Sequence, residues 1–159
     1  MNYYPLTLSP AGADFIKKEE IFVPHAYQDS VGVWTIGYGS TMYRDGTKPK
    51  ASDIITQEAA TDLLLWAVEQ KTKASSHLIR NPLNQNQQDS IISLIYNIGC
   101  GGFATSTVLK LINQDPNDPG IQNAFYMWCK GTINGKKVVL PGLLARRKRE
   151  YSVYSKSVL

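Results

Sequence analysis

The chain has 159 residues, 43% of them hydrophobic and 19% charged, which is typical of a globular protein. A chain of this length buries about 70% of the surface that it exposes when unfolded, enough for a core of its own. No segment approaches the roughly 20 consecutive apolar residues that a membrane-spanning helix needs. The start of the sequence lacks a basic stretch followed by an apolar one, so we expect a soluble cytoplasmic product without a signal peptide.

The two cysteines, Cys100 and Cys129, are too few for a disulfide-based scaffold in a chain of this length. Free cysteine is among the most buried residue types, so we expect both thiols to lie in the core. Two histidines do not make a metal-ligand cluster. The sequence therefore predicts neither a metal nor a cofactor.

The net charge of +4 is unevenly distributed along the chain. Residues 1–129 carry 9 lysines and arginines against 12 acidic residues, whereas residues 130–159 carry 8 against the single Glu150. A cationic end favours an anionic partner, such as a cell-wall polymer, a membrane surface or a nucleic acid. The basic run 146–149 is most simply a solvated helix face, and attraction to an anionic envelope is the alternative.

The first elements are predicted from caps and composition. Ser9 and Pro10 suit the start of a helix that runs to Glu20. Residues 23–41 are rich in aromatic and β-branched residues punctuated by glycine, which indicates short strands joined by tight turns. Residues 43–53 are predicted to form a loop.

Helices are predicted for the rest of the chain. Thr56 caps one that runs to about Ser76, and Asn84 with Gln87 resembles a capping box for the next. That helix is expected to end at the glycines of residues 99–102. Further helices are expected near 105–114, 120–130 and 142–156, with a turn at 134–135. We therefore predict an α+β fold in a single domain, 1–159. A small mixed lobe (about 14–55) precedes a larger helical lobe (about 56–159 together with the N-terminal helix), with a cleft between them.

The most informative segment runs from Glu20 to residue 39. It places a carboxylate at a helix end, Asp29 at the start of the strands and the hydroxyl of Thr35 on a strand. Glycosidic bond cleavage uses such a pair, one carboxylic acid to protonate the departing oxygen and one carboxylate to handle the water or the sugar's positive charge. Apolar packing at the helix end would favour the acid form of Glu20, while Asp29 would stay ionised in a solvated turn. Taken singly, these are ordinary surface, turn and strand residues, and Glu19 is a rival to Glu20.

The chain resembles the phage-type lysozymes of glycoside hydrolase family 24, and the resemblance covers nearly its whole length. It rests on the spacing of Glu20, Asp29 and Thr35, which also favours Glu20 over Glu19. Further matching segments follow in the family's order: residues 26–27, 34–39, 55–59, 83–89, 96–99, 102–107 and 141–147.

This resemblance implies a role for each site residue. Glu20 would be the general acid, and Asp29 would position or activate a water that Thr35 helps to hold. The mechanism would invert the anomeric carbon, with carboxyl groups about 6.5–9.5 Å apart, and would cut between N-acetylmuramic acid and N-acetylglucosamine. The sugar-binding positions would be Thr41, Tyr96, Asn97 and Ser106.

Two positions depart from the family pattern. Ile21 stands where glycine usually follows the catalytic glutamate, and isoleucine does not readily adopt the left-handed conformation that glycine permits. The helix is therefore expected to end differently, which would change the direction in which the Glu20 carboxyl group points. Ser40 stands where histidine is usual, so a structural ion pair or hydrogen bond is expected to be lost.

The residue pattern alone leaves two other functions open. A lytic transglycosylase would cut the same bond with one acid/base, but it would leave Asp29 and Thr35 without a purpose. A non-catalytic module binding the cell wall or a nucleic acid would use the basic end.

The hydrolase interpretation predicts a monomer acting on peptidoglycan after a holin opens the membrane, with no nucleic-acid partner and no membrane insertion.

Overall fold

The computed structural model describes residues 3–157. Six helices and four strands occur within them, in the order α1 (Pro10–Glu20), β1 (Val23–Gln28), β2 (Trp34–Gly37), α2 (Gln57–Ser76), α3 (Gln85–Ala104), α4 (Thr107–Gln114), α5 (Ile121–Tyr126), β3 (Lys130–Ile133), β4 (Lys136–Val139) and α6 (Pro141–Tyr154). The chain divides into two compact units, Ala13–Gln70 and the combination of Met1–Gly12 with Lys71–Leu159. No single helix of residues 3–157 has the length and apolar character of a membrane span, although α3 and α4, bent by 87°, pass that test as a pair.

The predicted caps and strands at the start of the chain are confirmed. Ser9 Oγ accepts the backbone N–H of Gly12 at 3.0 Å and so caps α1. β1 and β2 form an antiparallel hairpin in which Tyr27 pairs with Thr35, and its register is irregular between residues 23 and 27. Thr56 Oγ1 accepts a backbone N–H at 3.1 Å at the start of α2. The hairpin and most of α2 belong to the Ala13–Gln70 unit.

The predicted loop 43–53 is held by Asp53. Its Oδ2 accepts the Tyr43 hydroxyl at 2.9 Å and the backbone N–H of Lys50 at 3.0 Å, while its carbonyl oxygen accepts the N–H of Ala26 at 3.0 Å. Burial, together with the hydrogen bond to Asp53, raises the pKa of Tyr43 to about 12, so the phenol stays a donor. The Lys50 N–H, followed by the Tyr43 hydroxyl, lowers the pKa of Asp53. These contacts tie the loop to strand β1.

The core of the second unit is built on α3. The Asn84–Gln87 capping box is present in full, and Ile91, Leu94 and Ile95 are buried. The prediction that glycines end this helix is only partly right. Gly99 breaks it with φ 82° and ψ 162°, but the chain turns helical again up to Ala104.

The segment after α5 differs from its prediction. The expected helix 120–130 ends at Tyr126, and a hairpin follows in which Lys130 pairs with Val139 and Thr132 with Lys137. The predicted turn at residues 134–135 joins the two strands. Both turn residues have positive φ, 49° at Asn134 and 76° at Gly135, as tight hairpin turns require.

Helix α6 packs against α3 and α5 and carries the basic run. Lys148 and Arg149 are exposed as predicted, but Arg146 and Arg147 are buried, so the solvated-face interpretation is wrong for these two. The reason is Glu150, which is fully buried and pairs with both arginines.

The cysteine prediction holds for one thiol. Cys129 is buried, whereas Cys100 is only partly buried. Cys100 follows the Gly99 break, and its thiol lies 3.5 Å from the carbonyl oxygen of Lys71. The helix break thus brings Cys100 to the edge of the core.

Candidate active site

Glu20 is the last residue of α1, and its carboxyl group lies close to Gly39, two residues after the end of β2. Glu20 Oε1 is shielded from solvent. A methyl group placed on Gly39, whose φ is 83°, would lie 3.4 Å from Glu20 Oε2. A side chain at residue 39 would therefore touch the carboxylate, and glycine supplies both the space and the backbone conformation.

Ile21 does not change the helix end as the sequence led us to expect. Its φ is 56°, so it adopts the left-handed conformation despite its branched side chain. Its N–H donates to the Lys17 carbonyl at 3.2 Å, which closes the last turn of α1. This backbone state costs on the order of 1 kcal/mol for a residue other than glycine. The helix that carries Glu20 thus ends as it would with glycine, at some cost in stability.

Asp29 begins the turn between β1 and β2, and its two carboxylate oxygens have different surroundings. Oδ1 accepts the backbone N–H groups of Val31 and Val33, each at 2.9 Å. Oδ2 has no hydrogen-bond partner among residues 3–157. The turn therefore fixes the carboxylate through one oxygen and leaves the other able to accept a proton from outside the protein.

Thr35 is buried on β2, and its hydroxyl donates to the Val33 carbonyl at 3.0 Å. Val33 therefore joins the two predicted residues, since its N–H holds Asp29 and its carbonyl holds Thr35. Because the only proton of the Thr35 hydroxyl is engaged, its remaining capacity is to accept. The role of the Val33 backbone was missed by the sequence analysis, because no side chain signals it.

Ser40, at the position of the second departure, is also buried. Its backbone exchanges two hydrogen bonds of 2.9 Å with Ile36. Its hydroxyl has no hydrogen-bond partner within the described part of the chain.

The four predicted sugar-binding residues have different environments. Thr41 is exposed in the first unit. Tyr96 is buried, with the Lys71 ammonium 4.5 Å from its ring centroid. Asn97 and Ser106 line one pocket of about 500 Å³ in the second unit, whereas Tyr96 and Thr41 are not among the residues that line it.

Asn97 and Ser106 differ in how much hydrogen-bonding capacity they retain. The Ser106 hydroxyl donates to Phe103 O at 2.7 Å and accepts Leu109 N–H at 3.1 Å, because it caps α4. Asn97 Oδ1 accepts Arg147 Nη2 at 2.9 Å, which fixes the side-chain amide. Asn97 is exposed, and its Nδ2 has no partner in residues 3–157, so two donors remain for a ligand. The buried Arg147 as the group that orients Asn97 was not foreseen from sequence.

Two small antiparallel hairpins in a mostly helical body, with an acid at the end of α1, match the lysozyme-like fold of solved phage lysozymes. A family model described as phage lysozyme matches residues 17–150. The endolysin of Acyrthosiphon pisum secondary endosymbiont phage 1 is 40% identical over 147 residues, which cover 92% of this chain and 97% of the relative. The endolysin of Salmonella phage P22 is 40% identical over 149 residues, 94% of this chain and 98% of the relative.

Solved structures give the same result. An endolysin from Escherichia coli O157:H7 phage FAHEc1 superposes with a TM-score of 0.92 and 39% identity, covering 99% of this chain and 98% of the other. The chain belongs to the phage lysozyme family.

Proposed function

We propose that this lysozyme hydrolyses the β-1,4 bond between N-acetylmuramic acid and N-acetylglucosamine with inversion at the anomeric carbon. Membership of the phage lysozyme family makes the chain a peptidoglycan-hydrolysing lysis enzyme. The observation that supports the mechanism is the state of Asp29, one oxygen fixed by two backbone N–H groups and the other without a protein partner. A carboxylate held in this way suits a general base that acts on water.

In the proposed reaction, Glu20 donates its proton to the glycosidic oxygen as the bond to the muramic carbon breaks. A water attacks the opposite face of that carbon and gives one proton to Asp29 Oδ2. The water's other hydrogen is donated to Thr35 Oγ1, which accepts it because its own proton is held by Val33. Room for this water implies carboxyl groups about 6.5–9.5 Å apart.

We propose that the glycan contacts the pocket lined by Asn97 and Ser106. Asn97 Nδ2 would donate to a sugar hydroxyl or acetamide oxygen, since Arg147 occupies its Oδ1. Ser106 would shape the pocket rather than bind, because its hydroxyl already donates and accepts within the helix cap. Thr41 and Tyr96 remain proposed contacts on the strength of the resemblance alone.

The enzyme acts on the cell wall, as a phage lysozyme does. We further propose that the chain works as one monomeric lysozyme domain and reaches the wall once a holin has perforated the membrane. The family membership does not favour a non-catalytic binding module. A lytic transglycosylase is not favoured either. Its reaction needs no activated water and would leave Asp29 and Thr35 without a role.

Product analysis of digested sacculi tests hydrolysis. The wild-type enzyme is expected to release fragments ending in reducing muramic acid. Asp29→Asn keeps an oxygen for the two backbone N–H groups but loses the base, so we expect its rate to fall by about 10²-fold or more. Fragments lighter by one water, with anhydro ends, formed equally fast by Asp29→Asn, would instead show a transglycosylase.

A further inference from the structure

The pocket that holds Asn97 and Ser106 is also lined by two lysines of the β3–β4 hairpin, Lys130 and Lys137. Both are exposed. The hairpin register explains why they meet in one pocket. Lys130 pairs with Val139 and Thr132 with Lys137, so both lysines lie on one face of the hairpin as diagonal neighbours. Lys136, which pairs with Ile133, lies on the opposite face.

Among residues 3–157, no carboxylate pairs with either of these two ammonium groups. No acidic residue lines the pocket, and neither lysine has an ion-pair or hydrogen-bond partner within residues 3–157. Diagonal neighbours lie about 7–8 Å apart, close enough for one anionic ligand to contact both. A lysine ammonium is a compact charge that binds carboxylates without requiring one fixed geometry. The pocket is therefore complementary to a negatively charged ligand.

The rest of the lining is apolar or polar and uncharged. Met127, 63% exposed, lies in this pocket with Trp128 and Leu143. Such a surface suits the short aliphatic side chains of a peptide ligand whose carboxylates contact the two lysines. This mixture matches a peptide with free carboxylates better than it matches a sugar, which offers hydroxyl groups and no fixed charge.

We propose that Lys130 and Lys137 bind the carboxylates of the peptide stems of peptidoglycan and so determine a preference for stem-bearing, anionic substrate. The inference rests on the proposed function, because it places the glycan at Asn97 in the same pocket. In peptidoglycan the stems are attached to the muramic acid residues of the strand. A pocket that holds the glycan thus has the stem carboxylates within its reach.

The test compares two double variants of equal charge on two forms of one substrate. Lys130→Gln/Lys137→Gln removes the proposed site. Lys136→Gln/Lys148→Gln removes two other exposed lysines, one from the opposite hairpin face and one from α6. The substrates are purified sacculi and the same sacculi with their stem carboxylates converted to methylamides. Initial rates of reducing-end release give relative kcat/KM.

We expect Lys130→Gln/Lys137→Gln to lower kcat/KM on native sacculi by about tenfold, as the loss of two solvated charge contacts would. On methylamidated sacculi it should equal the wild type, and the control should match the wild type on both substrates. The inference would be overturned if Lys130→Gln/Lys137→Gln lowered kcat/KM equally on both substrates or on neither. It would also be overturned if the control variant lowered kcat/KM on native sacculi by the same factor. If the wild type released no reducing ends even from native sacculi, the proposed function itself would be overturned, and the inference with it.

Discussion

Replacing Glu20 by glutamine is expected to reduce peptidoglycan hydrolysis by about 10³-fold and to leave the protein folded. Glutamine has the shape of glutamate, so the close approach to Gly39 and the end of α1 are preserved. What it lacks is a proton to transfer to the departing sugar oxygen. Loss of a general acid typically removes about 10²- to 10⁴-fold in rate.

The matched control is Glu19→Gln, which removes the same charge from the adjacent residue of α1. Neighbouring helical side chains point about 100° apart, so Glu19 does not replace Glu20 at the carboxyl position beside Gly39. We expect Glu19→Gln to retain most of the activity in a turbidity assay on permeabilised cells, and both variants to unfold near the wild-type temperature. A folded Glu20→Gln protein that still lysed cells, or a Glu19→Gln protein that was equally inactive, would contradict the assignment.

The second large effect is expected on stability, from Glu150→Gln. Glu150 is fully buried on α6, and its carboxylate lies 3.0 Å from Arg146 Nε and 2.8 Å from Arg147 Nε. Ser93 Oγ donates to it at 2.7 Å, which ties α6 to α3. Burial raises the pKa of Glu150, while the attraction of Arg147 and then Arg146 opposes the rise. The Glu150 carboxylate is thus a buried counter-charge shared by both arginines.

Glutamine at this position preserves the volume but leaves two buried guanidinium groups without that counter-charge. Removing one partner of a buried ion pair costs about 3–5 kcal/mol, because the remaining charge stays buried and uncompensated. In a domain of this size such a loss lowers the melting temperature by roughly 6–20 °C. Thermal unfolding followed by circular dichroism measures it.

Glu58→Gln is the matched control, since Glu58 is exposed in the first turn of α2. Its interaction with the helix dipole amounts to less than about 1 kcal/mol. If Glu150→Gln melted at the same temperature as Glu58→Gln, the buried cluster would not be the stabilising feature described here.

Local signals explain why much of the fold was predictable. The caps at Ser9, Thr56 and Asn84 act within three residues of the helix that they start, and the structure contains all three. The hairpin 23–37 is marked by its aromatic and β-branched composition. Glu20 could be placed near a helix end because Ser9 and Pro10 mark the start of the helix and Pro24 argues against its continuation.

Long-range contacts explain what could not be predicted. The burial of Arg147 depends on Glu150 and on Ser93 from another helix, whereas a run of basic residues by itself indicates a solvated face. The strands β3 and β4 are only four residues each, so the sequence predicted their turn at residues 134–135 but not the strands themselves. At the site, the residue types were predictable, but the use of the Val33 backbone depends on the turn geometry.

The anomeric configuration of the first product tests the central mechanism most directly. A soluble peptidoglycan oligomer is digested inside the NMR tube, and the new reducing-end muramic acid is observed before its anomers equilibrate. Attack by a water that Asp29 and Thr35 hold opposite the departing oxygen predicts the α-anomer first. The β-anomer as the first product would mean retention, and Asp29 would then not act as the base of a single displacement.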